Sequence, residues 1–402
     1  MKKSVSIIGG GSAALMLAAF LKSEKFEVTI YEKNKSLGRK FLVAGDGGFN
    51  LTHSEPIPQF IERYTPPEFL KKSLTDFDND DLQKWLKDIG IPTFIGSSKR
   101  IYPEKGIKPI EVLNGIVNVL SNQGVKIQYE HTWTGWNEDN HLVFNGETEV
   151  KSDYTVFALG GGSWKVTGSD GTWLDIFKTH GLDVSPFQPS NCAYKIDWSE
   201  KFISKHEGNP LKNIAVSCLD KSQKGELVIT KLGLEGNAIY AVSPQIREEL
   251  NANKTAKIFL DLKPVLTEEV LLEKFKKSTL KNTTDILRTA LNLSPAQIGL
   301  LKAYTSKETF LNSELLIASI KKLEIEIIGS AQVDEAISTT GGLSLKAVDK
   351  SFKLKKLKNT YCIGEMLDWD APTGGYLLQA CFSMGVQLAG HLNRKRIKSE
   401  GS

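Results

Sequence analysis

The chain has 402 residues and a formal net charge of +4, with 40% hydrophobic and 24% charged residues. That composition excludes a disordered or collagen-like chain, and the length suggests two or three domains. The charge balance is not that of a nucleic-acid-binding protein, so nucleic acid is not an expected partner.

The cysteines are Cys192, Cys218, Cys362 and Cys381. They form no C-x-x-C and no metal-ligand spacing, so neither a redox dithiol nor a metal site is expected. No signal peptide is evident and no apolar stretch is long enough to span a bilayer, which makes the cytoplasm the expected location.

In chain order, residues 4–8 (SVSII) predict a short β-branched strand and 12–21 (SAALMLAAFL) an unbroken helix. Between them lie Gly9, Gly10 and Gly11, giving G-x-G-x-x-A with Ala14. Gly9 permits the turn, Gly11 admits a pyrophosphate to the backbone, and Ala14 lets helix and strand pack closely. The free N–H groups at Ser12 and Ala13 then face the phosphates. A second strand over 27–31 ends at Glu32, near the spacing expected of a carboxylate on ribose hydroxyls.

Residues 33–40 form a polar turn with Lys33, Gly38, Arg39 and Lys40, whose last two cations suit a diphosphate. The loop 41–52 (FLVAGDGGFNLT) holds Gly45, Gly47 and Gly48, which allow close approach of a flat ligand. Helical stretches follow at 60–64, 69–74 and 82–86, short strands in 93–103, a helix over 110–120 and a strand over 125–129. Strands at 132–136, 141–144 and 147–150 read as a meander. A buried strand over 154–159 ends at Ala158 and Leu159 and runs into Gly160, Gly161 and Gly162, a second place for backbone to meet a cofactor.

From Pro186 the pattern changes. Short strands are expected at 192–198, 214–219, 225–230, 238–242 and 256–261, as a small barrel or sheet, followed by charged helices over 264–318 and a strand at 325–328. Residues 338–342 (STTGG) read as a turn and 360–364 (TYCIG) as a strand leading to Gly364, Glu365 and Asp368. Gly374, Gly375 and Tyr376 open a small-residue helix over 377–391. Asp368 suits a polyol hydroxyl or a plain helix-entry acid. The N–H groups at Gly375 and Tyr376 suit a carbonyl edge or a negatively charged ring. The basic end 394–398 reads as a solvated terminus.

Taken together, Gly9–Ala14, Glu32, Arg39-Lys40, the loop 44–52, 158–161, 337–342, 364–368 and 373–376 resemble, over the full length, a bacterial flavoprotein family. Its members are labelled NAD(FAD)-utilising dehydrogenases or aminoacetone-oxidase-family FAD-binding enzymes. The resemblance implies an α/β fold: a Rossmann-like FAD-binding domain of the two-dinucleotide-binding type, with an inserted β-barrel-like domain and a helical arm. The implied boundaries are 1–186 plus 338–402 for FAD, 187–263 plus 320–337 for the β insert, and 264–319 for the arm. It also implies that Gly9–Ala14, Arg39 and Lys40 hold the pyrophosphate, and Glu32 the adenosine ribose. Residues 131–133 meet the adenine on this model. Gly160, Gly161 and Gly364–Asp368 close over the ribityl chain, and Gly45, Gly47, Gly48, Asn50, Leu51 and 374–376 approach the flavin ring. Many members carry Arg-Cys-Asn in the glycine loop where this chain has Gly48-Phe49-Asn50, so no loop thiol serves here.

The expected activity is an FAD-dependent oxidoreductase acting on a small carbonyl or enone substrate. The alternatives are an oxidase using oxygen, or a flavin-containing binding or RNA-associated protein. One dinucleotide fingerprint is present and is committed to FAD, leaving NAD(P)H as a transient donor. Asp46, Asn50, His53, Tyr102 and Tyr376 are the catalytic candidates, with no proton donor chosen among them. His53 reads equally as a plain loop histidine.

Overall fold

The computed structural model describes residues 1–43 and 49–395. Its contacts divide the chain into one unit up to Gln188 together with everything from Ser338, and a second, Pro189–Ile337.

The first unit is built on a parallel sheet. Strand β1 (Lys3–Ile8) pairs with β2 (Phe26–Tyr31) on one side and β4 (Tyr154–Phe157) on the other, with β3 (Lys126–Gln128) and β5 (Thr360–Cys362) at the edges. The order is β5-β4-β1-β2-β3. Val5, Ile7 and Ile8 are buried, as an apolar β-branched strand central to a parallel sheet should be. Helix α1 (Ser12–Phe20) is buried from Ala13 to Ala19, so it is a core helix rather than a half-exposed one. Helix α2 (Tyr376–Arg394) packs along it. The approach depends on Gly385, where a Cβ would lie 2.6 Å from the Ala13 carbonyl oxygen. Two small antiparallel sheets belong to the unit as well. One joins Thr52–His53, Arg100–Pro103 and Thr93–Ile95; the other joins Trp133–Trp136, Leu142–Phe144 and Thr148–Val150.

The second unit is an antiparallel ring. Leu323–Ile327 pairs with Ala256–Asp261, then follow Pro210–Cys218, Lys221–Ile229, Gly233–Glu235 and Tyr194–Lys195. Tyr194–Lys195 pairs in turn with Gly329–Ser330, which continues directly from Leu323–Ile327 and closes the circuit. Gly233 makes one crossing possible, because a Cβ there would sit 1.8 Å from the Tyr194 carbonyl oxygen. The helices between Glu268 and Lys321 belong to this unit, and Thr267, Asn282, Ser294, Ser306 and Asn312 cap them at their N-termini.

Two expected elements differ. Residues 238–242 were expected as a strand, but Asn237–Tyr240 is a helix. A five-residue apolar run has too little periodicity to separate strand from helix. Residues 338–342 were expected as a turn, but Ser338–Leu343 is a strand. Its glycines serve close packing: Cβ atoms on Gly341 and Gly342 would lie 2.3 Å from the Pro186 oxygen and 2.5 Å from the Met366 oxygen.

Candidate cofactor and active site

The carboxyl ends of β1 and β2 meet the N-terminus of α1, where ligands bind in open parallel sheets. The three glycines there do different work. Gly9 has φ +97°, and a Cβ would lie 2.5 Å from the Ala158 oxygen, so it lets β1 and β4 end side by side. The Gly10 N–H donates to Glu32 Oε2 at 2.8 Å. A Cβ on Gly11 would meet nothing within 4 Å. Gly11 is also the N-cap of α1 and gives it no side-chain cap, and no acid lies in the first turn. An uncapped helix end facing open space leaves N–H groups of the kind that bind anions. Ser12 is part-exposed; Ala13 and Ala14 are buried, and a Cβ on Gly364 (φ +83°) would lie 3.1 Å from the Ala13 Cβ.

Glu32 is buried and held by protein groups. Its Oε1 accepts from the Asn34 N–H (2.8 Å) and Nδ2 (2.6 Å). Oε2 retains one lone pair for a ribose hydroxyl. Asn34 was not singled out from the sequence, and only its carboxylate partner two residues back signals it. Arg39, expected on the pyrophosphate, donates to Asn34 Oδ1 (2.8 Å) and the Val166 carbonyl (2.8 Å). Lys40 donates to Ser163 Oγ (2.9 Å) and stands 3.9 Å from Glu365. Lys33 pairs with Asp170 at 2.7 Å. Burial alone would raise the Asp170 carboxyl; Lys33 and the Thr172 N–H and hydroxyl bring it below its ordinary value. All three cations are thus engaged by protein groups.

At the second glycine cluster, Gly160 (φ +73°) accepts from Trp173 Nε1 (3.1 Å) and Gly161 from Ser169 Oγ (2.9 Å). A Cβ on Gly161 would lie 2.3 Å from Thr339 Oγ1. Ala158 is buried and Leu159 half-buried behind them. Asp368 accepts from the Gly341 N–H (2.8 Å) and the Thr340 hydroxyl (3.3 Å), so one oxygen ties the strand Ser338–Leu343 to the segment after β5.

The third cluster lies at the N-terminus of α2. Gly374 and Gly375 have φ +122° and +98°, and Gly375 lies against Thr52, 2.5 Å from a hypothetical Cβ to the Thr52 Cα. Tyr376 is buried, and its phenol donates to Glu55 Oε2 at 2.9 Å. Glu55 also receives Arg63 through Nε (3.0 Å) and a terminal nitrogen (2.5 Å). Burial first, then the Glu55 charge, pushes the phenol pKa up. Burial would raise Glu55, but Arg63 and the phenol hold it below its ordinary value. The Tyr64 hydroxyl donates to the Tyr376 carbonyl at 2.7 Å. His53 stacks on Tyr376 (centroids 5.4 Å, 21°) and accepts the Glu55 N–H at Nδ1 (3.1 Å), which leaves the proton of a neutral ring on Nε2. Burial holds its pKa below the ordinary value.

The structure thus brings His53 and Tyr376 together, with Glu55 and Arg63, which no sequence signal marked. Tyr102 lies on the neighbouring strand and stacks on Phe94 (5.7 Å). Asn50 is part-exposed, whereas Leu51 is fully buried and presents only its backbone, whose N–H donates to the Ile101 carbonyl. Gly45, Asp46, Gly47 and Gly48 lie outside the described residues. Among the described residues, no group of three or more His, Cys, Asp or Glu side chains could hold a metal.

An open helix end after a parallel strand, with a carboxylate on the next strand, defines a dinucleotide-binding Rossmann domain. The chain belongs to the HI0933-like family: the model described as "HI0933-like protein Rossmann domain" matches residues 3–391. That makes it a flavoprotein of the FAD-dependent oxidoreductase class. It is 24% identical to the ribosomal RNA dihydrouridine synthase of Haemophilus influenzae, over 97% of this chain and 98% of that protein. It is also 24% identical to the 3-dehydro-bile acid delta(4,6)-reductase of Clostridium scindens, over 98% and 99%. Among solved structures, the open conformation of a flavocytochrome c3 fumarate reductase is similar at a TM-score of 0.48 and 13% identity, covering 97% of this chain and 78% of that one. Among the described residues, no helix is long and apolar enough to cross a membrane.

Proposed function

We propose that the protein is an FAD-dependent reductase of a carbon–carbon double bond conjugated to a carbonyl. The activities named for the two relatives support this. Each describes, for that protein, saturation of a ring double bond in such a system: the pyrimidine of uridine, or the 4,6-unsaturation of a 3-oxo steroid. Uridine in RNA therefore enters as a substrate class that modest net charge had set aside. The observation that carries the cofactor half is the open, uncapped helix end at Gly11 beside Glu32.

FAD, when bound, supplies the hydride. The chain does the rest. The first turn of α1 takes the pyrophosphate and Glu32 a ribose hydroxyl. The N-terminus of α2 sets its N–H groups and dipole against negative charge on the ring edge. Glu55, Arg63 and Tyr64 fix Tyr376 and hence that helix end. Tyr376 is a positioning residue in this scheme, its phenol buried and committed to Glu55. His53 is half-exposed beside Tyr376, and its imidazolium delivers the proton to the carbon alpha to the carbonyl.

NADH or NADPH is the expected electron donor. The test is anaerobic: either nicotinamide should bleach the flavin, and a cyclic enone or ribosomal RNA should restore it. With His53 as donor, turnover rises as pH falls toward the depressed pKa of the ring, and His53→Gln flattens that rise. Turnover with oxygen and with neither acceptor would instead favour an oxidase.

A further inference from the structure

The net charge of +4 conceals an uneven distribution. Within the 13 residues 346–358 lie Lys346, Lys350, Lys353, Lys355, Lys356 and Lys358 against a single acid, Asp349. The segment is tied to α2 seven residues before its end at Arg394, where Gln387 Nε2 donates to the Lys350 carbonyl at 3.0 Å. Arg394 and Lys395 stand at that end. Six lysines, one aspartate and these two cations amount to +7, so the rest of the chain is net −3.

We propose that this surface docks the phosphate backbone of RNA. Among the described residues, none of the eight cations has a carboxylate within ion-pair distance. Elsewhere on the same unit such pairs form readily, as at Lys3–Asp153 and Lys72–Asp76. The single acid is turned onto its own loop, accepting from the Ser351 N–H and hydroxyl (2.7 Å each) and the Lys353 N–H (3.0 Å). The loop is also shaped by its cations: Lys355 donates to the Lys346 carbonyl (2.7 Å) and Lys356 to the Gly181 carbonyl. Lys395 lies over the Tyr154 and Tyr361 rings at 5.0 and 5.2 Å. Burial first, then the Lys353 charge, depresses its pKa, and the Asp349 charge offsets this only in part. Such a cluster is the electrostatic footprint of a polyanion.

RNA fits better than a lipid surface. No large exposed apolar side chain lies in 346–358 or at 394–395 to enter a bilayer. The distance also fits. Along α2, Tyr376 lies about 16 Å from Gln387, which donates to the Lys350 carbonyl, and about 28 Å from the Arg394 end, spans that a polynucleotide bridges and a small substrate does not.

The proposal rests on uridine in RNA being the conjugated substrate, yet its test is binding, which succeeds or fails apart from turnover. The FAD-loaded protein and the triple variant Lys346→Gln/Lys350→Gln/Lys358→Gln are titrated with a fluorescent uridine-containing single-stranded RNA 20-mer at several salt concentrations. None of the three ammonium groups makes a hydrogen bond or ion pair among the described residues, so the fold is not at stake. The expected result is a log–log salt slope shallower by about 2 and affinity at least tenfold lower at physiological salt, with turnover of a cyclic enone unchanged. An unchanged slope and affinity would overturn the proposal. So would wild-type protein preferring phosphatidylserine vesicles to the RNA. Altered RNA binding without enone or RNA reduction would keep the docking surface and remove the redox reading.

Discussion

At single residues, the two outer glycines of the first turn make opposite predictions. Gly11 faces open space, so Gly11→Val should leave the apo fold intact and weaken FAD binding by about 100-fold, roughly 2.8 kcal/mol, in a fluorescence titration. Gly9→Ala should do the reverse in part. Its Cβ would strike the Ala158 backbone and its φ of +97° is strained for alanine, so thermal stability of the apo protein should fall first. The sequence separated a turn at Gly9 from a pyrophosphate approach at Gly11 but did not show the packing of Gly9 on Ala158, which is 149 residues away. His53 and His391 add a pH term. Burial, their largest influence, holds both rings below the ordinary value. A neutral ring is thus favoured in the folded state. This contribution is complete above about pH 6.5 and is lost as pH falls through the folded pKa values. The melting temperature should drop between pH 7 and 5, and His53→Gln should flatten part of that drop.

For the elements, the site depends on α2 lying close to α1. Gly385→Val would push a side chain into the Ala13 carbonyl, with backbone on both sides and no flexible group to yield. The expected cost is about 1–3 kcal/mol in urea unfolding, accompanied by weaker FAD binding because α1 itself must shift. The strand-turn-helix around Gly9–Ala14 was legible because strand, glycines, helix and acid are contiguous and each has its own local signal. The set at the start of α2 was not. Glu55 and Arg63 sit in a polar helical stretch with no motif, and only the fold brings them to Tyr376, 321 residues from Glu55. The strand Ser338–Leu343 was misread for a related reason: its glycines answer to neighbours distant in sequence, Pro186 and Met366, not to a local turn.

For the whole molecule, a total charge is a poor guide to partners. A surface of +7 and a remainder of −3 sum to an unremarked +4, and segments 346–358 and 394–395 meet only through the fold. The β-ring of the second unit was legible as a barrel or sheet from its alternating short strands. Its closure was not, since Leu323–Ile327 and Gly329–Ser330 must pair with opposite edges from one continuous run. The central claim joins the cofactor cradle to one chemistry, and a single-turnover experiment tests it most directly. FAD-loaded protein is reduced without oxygen and mixed with a cyclic enone, and separately with ribosomal RNA, while flavin absorbance and product mass are followed. The account predicts that at least one acceptor reoxidises the flavin and gains two hydrogens per flavin. Flavin that stays reduced before both, yet is reoxidised promptly by oxygen, would contradict it.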